Sequence, residues 1–444
     1  MGVIRQRSRH GGHFVVLLRD HPAVLLDLDN YQRPEGISAI AFGEFVNARR
    51  SVRQFRQTPD LCRGKRWTLR HAFFANSGGF LLRTPDFPAG FPVNAKQIHY
   101  LASHGHVEIP DLDELQIEDR NSADTLSRLI AIWQVFWFSV TELRRMQLGL
   151  PITTIELTAL TFGGVMICTS ILWYHKPCIT IPTIIHLKAD KTVQAVRLAA
   201  RQHTHPNLPD EWWRTPLDFI SRENFIFDRD YYFMQMLPLK FHLPLLSRKT
   251  QKPWERFPCA SMDAPGPESV VPLMLGVIFL AFYAFSFCLA WDFMFPTQIE
   301  QLLWRVCSVY HGCYTGAALI HYAIASWRFI QNTKDGRSTS RALGERPVPN
   351  AAHDIENQAQ RCTKRKGSLG CLHLPSWLVG LRNLSFDQDP DVTSSLSGLL
   401  AWTAGGVPFC LCRAYFYVED FISLRSQPAD VYVTVDSFAP FVGG

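Results

Sequence analysis

Apolar residues are gathered into runs separated by strongly polar stretches, and the runs free of Asp, Glu, Lys and Arg are the informative ones. Ser269 to Trp291 is such a run of 23 residues, Val306 to Trp327 one of 22, Val392 to Cys412 one of 21 and Leu157 to Tyr174 one of 18. A helix needs about 20 mostly apolar residues to cross the hydrocarbon core, so each predicts a transmembrane helix. Leu172, Trp173 and Tyr174 close the last of these with the aromatic signature of a membrane interface. A fifth run, Leu129 to Thr141, has only 13 residues, a length that also suits a buried core helix. The pattern predicts an all-α, polytopic membrane protein with four to five transmembrane helices and polar loops.

Charge placement bears on the fifth run. If all five cross, residues 1–128, 175–268 and 328–391 share one side, and the short 142–156 and 292–305 connections share the other. The first side then holds both basic clusters, Arg49, Arg50, Arg53, Arg56, Arg63, Lys65, Arg66 and Arg70, and Arg361 with Lys364, Arg365 and Lys366. Positive residues near span ends favour the cytoplasm, which puts the amino terminus inside. Arg144 and Arg145 count against this arrangement. The predicted organisation is a basic, interfacial region over 1–128, a helix pair over 129–174, a long polar insertion over 175–268 and a second pair over 269–330. A flexible basic loop follows over 331–391, then a last helix with its tail over 392–444.

Composition agrees once it is read this way. Of 444 residues 47% are hydrophobic and 19% charged, and 31 Phe and 12 Trp exclude disorder throughout. The near-zero mean hydropathy of −0.02 averages apolar runs with Arg-rich segments. A net +6 is too weak to argue for nucleic acid, and no nucleic-acid motif is present. The expected partner is the lipid bilayer, with anionic headgroups facing the basic segment around Arg49 to Arg56. Residues 1–13 are basic and Phe14 to Leu18 is too short for a signal core, so no signal peptide is expected. The 11 cysteines form no CxxC, and no cofactor is implied.

Several stretches resemble a family of uncharacterised fungal polytopic membrane proteins. They include Arg33-Pro34-Glu35, Ala48-Arg49, Trp67-Thr-Leu-Arg-His-Ala-Phe-Phe-Ala-Asn-Ser77-Gly-Gly-Phe80 and Ile117-Glu-Asp-Arg-Asn-Ser-Ala-Asp124. The match continues through Gly149-Leu-Pro151-Ile-Thr-Thr-Ile-Glu156, Leu172-Trp-Tyr-His-Lys176-Pro177, Phe295-Pro296-Thr297-Gln-Ile-Glu300 with Trp304-Arg305, and Arg413 to Tyr432. The resemblance implies an integral membrane protein with several hydrophobic helices and carries no reaction with it. Family members begin with a further hydrophobic segment that this chain lacks, and Ser77 stands where Met is usual.

Two motifs predict helix caps. Thr153 and Glu156, like Thr297 and Glu300, place Thr three residues before Glu at the start of an apolar helix. In such a capping box the Thr oxygen takes the N3 amide and the Glu reaches back to the cap amide. Glu300, Arg305, His311, Tyr314 and His321 form the candidate intramembrane polar site, with His311, Tyr314 and His321 on one helical face. They fit structural hydrogen bonding between helices, or a substrate or proton path. No catalytic residue is assigned. His104 with His106, and His203 with His205, lack a third ligand, so no metal site is expected. Asp111, Asp113, Glu114, Glu118 and Asp119 lack calcium-loop spacing and read as a solvated face. Three functional classes follow: a non-enzymatic scaffold or sensor, a small-molecule or ion transporter, and a membrane-embedded enzyme of fungal secondary metabolism with Glu300 or His311 as acid or base.

Overall fold

A computed structural model describes residues 34–62, 66–109, 112, 114–119, 122–177, 182–205, 208, 210, 212, 215–221, 270–342 and 396–433. Most described residues are helical. They form a mixed lobe and a helical bundle, joined by the first helix, α1 (Pro34–Gln57). The predicted basic loop over 331–391, with its cluster at Arg361 to Lys366, lies largely outside the described residues, as do residues 1–33.

The lobe is built from the two sides of the first long helix pair. Its elements are α2 (Leu69–Asn76), β1 (Phe80–Thr84), β2 (Phe87–Pro92), α3 (Ala95–Ser103) and the short α4 (Glu114–Asp119). After the helix pair α5 (Ser122–Gln147) and α6 (Thr154–Leu172), the chain returns with β3 (Thr183–His186), α7 (Val193–His203) and the short α8 (Asp218–Ser221). The sheet has the order β2-β1-β3, with β1 antiparallel to β2 and parallel to β3. Thr183 to His186 fall in the segment read as a polar insertion, yet they supply β3, the edge-strand partner of β1. The core mixes Phe55, Trp67, Phe73, Phe80, Leu82, Phe91 and Leu101 with Ile185, Val193, Val196 and Leu217.

Local chemistry explains the lobe's corners. Asn94 caps α3, its side chain accepting from the Gln97 amide at 2.9 Å while Gln97 takes the Asn94 amide at 3.0 Å. His71 plays the Glu part in the box that starts α2, its Nδ1 accepting from the Thr68 amide at 3.3 Å. The Gly78-Gly79 turn into β1 requires both glycines. Gly78 has φ +83°, and a Cβ on Gly79 would sit 2.6 Å from the Phe74 ring.

The bundle comprises α5, α6, α9 (Val270–Ser286), a 3-10 turn (Phe287–Asp292), α10 (Gln298–Ala342) and α11 (Leu396–Ile422). Short 3-10 turns over Ser423–Ser426 and Ala429–Tyr432 follow. Among the described residues two stretches, against the four to five expected, have the length and apolarity of a span, Thr154–Leu172 at mean hydropathy 1.7 and Met274–Asp292 at 2.1. Glycines let the helices close in. A Cβ at Gly163 would meet Val135 of α5 at 2.6 Å, at Gly312 it would meet Phe285 of α9 at 2.7 Å, and at Gly405 it would meet Tyr314 at 2.7 Å. The amino-terminal half of α1 lies against the bundle, with Phe42 beside Gly276 and Glu44 paired to Lys176 at 2.7 Å. Its carboxy-terminal half enters the lobe core through Ala48, Val52 and Phe55.

Bundle and lobe differ in which residues they hide. Leu275, Ile278, Phe282, Phe285 and Leu289 recur every three or four residues on the exposed face of α9 and the turn that follows it. Leu129, Ile130, Trp133 and Phe136 do the same on α5, and Val407, Leu411, Val418 and Phe421 on α11. Inside lie Ser286, Ser308, His311, Arg413, Glu419 and Asp420, all buried. These polar groups lie beside an apolar core of Leu157, Val165, Tyr283, Phe287, Ala290, Trp304 and Phe416, so the bundle differs from the lobe in its exposed apolar faces.

Candidate functional site

The site begins where α9 tightens. Its last carbonyls have no successor amide in regular α geometry, because the chain winds into a 3-10 turn at Phe287. Donors on α10 and α9 take them. Ser286 Oγ donates to Tyr283 O at 2.7 Å, and the His311 Nδ1 lies 3.2 Å from Ala284 O. Phe287 O receives both Trp304 Nε1 at 3.1 Å and Ser308 Oγ at 3.3 Å. Phe287, Trp304, Phe416 and Phe409 enclose this junction, with Phe287 and Phe416 stacked at 4.5 Å and Phe409 stacked on His311 at 4.8 Å.

Arg413 enters the same place from α11. Its Nη1 donates to Tyr283 Oη at 2.7 Å and lies 3.4 Å from His311 Nε2, and its Nη2 donates to Tyr417 Oη at 2.9 Å. Both phenol rings also lie within cation–π range, at 5.7 and 5.5 Å. With the proton on Nδ1 donating to Ala284 O, His311 Nε2 is left to accept from Arg413. Arg413 is 8% exposed and His311 1%. Three helices are thereby tied through one cation.

A second polar layer lies at the bundle end remote from the lobe, where α10 begins and α6 begins. Tyr415 Oη donates to Glu300 O at 2.9 Å, and Arg425 donates to Glu300 Oε1. Thr154 and Ser423 share a hydrogen bond of 3.2 Å, with Asp420 beside Thr154 and Thr158. Burial raises the Asp420 carboxyl above the usual carboxylate range, against the pull of the two threonines. Burial also raises Glu419, and the negative charge of Glu300 adds to it. Arg145 closes this end, donating from Nη2 to Pro151 O at 3.0 Å and to Val431 O at 2.8 Å, with Glu142 3.7 Å away.

The sequence-predicted residues distribute unevenly over these layers. Thr153 and Glu156 make the reciprocal box, Oγ1 accepting from the Glu156 amide at 3.2 Å and the Glu156 carboxylate accepting from the Thr153 amide at 2.8 Å. Thr297 accepts from the Glu300 amide at 3.2 Å, but the Glu300 carboxylate is taken by Arg425. His311 is central, and Tyr314 packs against Phe409 at 4.9 Å one turn away. Arg305 stands apart, donating to Trp291 O at 2.9 Å and reaching Asp292 at 3.2 Å. His321 is exposed, so the predicted face is not continued inward to it. Arg413, Tyr283, Tyr417, Glu419 and Asp420 were not among the candidates. For three of them the signal is helical spacing: Arg413, Tyr417 and Asp420, together with Phe416, fall at i, i+4, i+7 and i+3 on one face of α11.

In the lobe, the His104 and His106 rings stack at 6.3 Å, and His104 is engaged with Tyr100 O at 2.9 Å. Glu114 pairs with Arg70 at 3.7 Å. Among the described residues no group of three His, Cys, Asp or Glu is arranged to hold a metal ion.

No curated protein and no solved structure matches this chain. Residues 44–205, from the middle of α1 through the sheet and the α5–α6 pair to the end of α7, are similar to a family of unknown function, DUF8562.

Proposed function

We propose that this protein is a multi-pass integral membrane protein with five spans, over 129–141, 157–174, 269–291, 306–327 and 392–412, and that it acts as a non-enzymatic sensor or scaffold. The observation that carries the reading is the apolar exterior of the bundle on α5, α9, α10 and α11, around an interior that holds Arg413 and His311 among its aromatic rings. Water would not tolerate so large an apolar exterior, and hydrocarbon favours it. The sheet supports the parity. Because β1 and β3 pair directly, the chain leaves the lobe before α5 and returns to it after α6. If α6 crosses, α5 crosses too; otherwise the two strands would lie on opposite sides. The 26 residues of α5 extend about 39 Å, enough for the core although its uncharged run is short.

The lobe belongs on the cytoplasmic side in this reading. Arg49, Arg53 and Arg56 are exposed on α1 beyond Glu44, whose pairing with Lys176 sits beside the interfacial Trp173. At 1.5 Å per residue Arg49 is about 8 Å beyond Glu44, within reach of anionic headgroups. The resemblance to fungal polytopic proteins agrees with the same reading. Topology is tested at the sequon Asn383-Leu-Ser385, which lies outside the described residues and which five spans put in the cytoplasm. The expected result is no glycan at Asn383 and retention in membranes after alkaline carbonate washing. A glycan there, or release of the intact protein by carbonate, would overturn it.

A transporter is the second reading, favoured by Arg413 and His311 at span depth, since buried ionisable groups in membranes commonly mark ligand paths. Loss of a transport phenotype in His311→Ala, with normal membrane insertion, would select it over the scaffold.

A further inference from the structure

The start of α10 and the end of α11 bring two carboxylates into one neighbourhood. Glu300 gives Oε1 to Arg425, while its Oε2 is buried with no hydrogen-bond partner among the described residues. Glu419, whose side chain belongs to a residue only 2% exposed, has its Oε1 in the same condition. The Tyr415 hydroxyl lies between them, donating to Glu300 O at 2.9 Å and adjoining the Glu419 carboxyl. An ionised carboxylate wants two or more donors and no like charge beside it. Here each carboxylate has one buried oxygen without a donor, and the charge of Glu300 acts on Glu419. One proton relieves both problems, removing a negative charge and turning an orphaned acceptor into a donor.

We propose that Glu419 carries a proton at neutral pH and that Glu300, held by Arg425, sets its affinity, so that the α10–α11 junction is a proton-binding site. Glu300 is the member paired with a cation, the Arg425 guanidinium, and Glu419 has no such ion pair among the described residues. The remaining groups around Glu419 act in both directions. Asp420 on its own helix is a further like charge, Arg425 favours ionisation, and Glu142, Arg145 and Glu156 come from α5 and α6 at the same bundle end. Burial and the Glu300 charge raise Glu419 above its ordinary range, and Tyr415 and Arg425 pull less strongly the other way. On ionisation the proton leaves to water along the half-exposed Arg425, and the two like charges then push the end of α11 from the start of α10. The site depends on an α10–α11 contact and not on what surrounds the bundle, so it stands or falls separately from the five-span reading.

The test is infrared titration of the protonated-carboxyl stretch in the full-length protein in detergent, from pH 4 to 9. At pH 7 wild type is expected to retain a protonated-carboxyl band that Glu419→Gln diminishes and Glu300→Gln shifts to lower pH. That shift is about tenfold or more in proton affinity, because the neighbouring charge is gone. Asp420→Asn identifies any share of the band that belongs to Asp420. An unchanged band in Glu419→Gln overturns the proposal. If Glu419→Gln does not fold, Glu300→Gln decides alone, and a band that titrates as in wild type overturns it equally.

Discussion

Replacing Gly405 by alanine probes how tightly α10 and α11 are packed. The new Cβ would lie 2.7 Å from Tyr314 Cε2, 3.3 Å from Cδ2 and 3.8 Å from Cζ. Carbon atoms rest at about 3.5–4.0 Å, so the ring must retreat by nearly 1 Å. It has little freedom to do so. Tyr314 packs on Phe409 at 4.9 Å and stacks beside Tyr310 at 6.3 Å, and Tyr310 Oη holds Gly405 O at 2.8 Å. Overpacking of this kind costs about 1–3 kcal/mol, against about 1 kcal/mol gained from alanine's helix propensity. The single substitution is therefore expected to be neutral to destabilising. In a Tyr314→Ala background the obstacle is gone, and Gly405→Ala is expected to stabilise by about 1 kcal/mol. Thermal unfolding of the four proteins in detergent, followed by tryptophan fluorescence, measures the coupling as about 1–3 kcal/mol. If Gly405→Ala stabilises equally in both backgrounds, the helices do not approach as described.

Asp420→Asn tests the buried carboxyl through pH. A carboxyl whose folded pKa is raised contributes stability that is complete below its unfolded pKa and is lost as pH climbs through the raised folded value. The asparagine variant is accordingly expected to gain melting temperature relative to wild type above neutrality and to show a shallower fall between pH 4 and 9; an identical slope would refute the assignment. Arg145→Gln removes donors from Pro151 O and Val431 O, and is expected to cost about 2–4 kcal/mol and to expose residues 429–433 to hydrogen exchange. Unchanged protection there would show that Arg145 does not hold the tail. Glu44→Gln breaks a half-buried pair joining α1 to the end of α6, with Lys176 also over the Trp173 ring at 4.2 Å. A loss of about 1–3 kcal/mol is expected, with proteolysis between lobe and bundle as the readout, and no change in cleavage would count against the coupling.

What the sequence disclosed was local. The cap at Thr153 and Glu156 needs only residues three apart, and both partners were legible. The same spacing at Thr297 and Glu300 was legible only in part, because Arg425 competes for the carboxylate from 125 positions away. The apolar runs marked α6 and α9 for the same reason, since composition alone defines them. The sheet was not legible. β3 has four residues inside a polar stretch, and its parallel partner β1 lies about a hundred positions earlier. A parallel pair carries no hairpin signal, and its connection here runs through β2, α3, α4 and the α5–α6 pair. Arg413 and Asp420 escaped because charges following an apolar run read as the point where a helix leaves the membrane, whereas α11 continues inward-facing to Ile422.

Arg144 and Arg145 were the sequence's strongest objection to five spans, and Arg145 now weighs differently. Positive residues bias topology through charge available to headgroups near a span end. Arg145 is buried, with its guanidinium committed to the carbonyls of Pro151 and Val431 and its flank against Glu142. Its role is to satisfy carbonyls in the α5–α6 turn and to pin the chain beyond α11, and lysine could not reproduce that fork. Arg144 alone remains at the surface of that turn, bonded to Gln147 at 3.3 Å. Against it stand Arg49, Arg53 and Arg56, exposed on α1 on the lobe side. Counting only charges that water and lipid can reach removes Arg145 from the objection to the proposed five-span arrangement, with which the pairing of β1 and β3 is compatible.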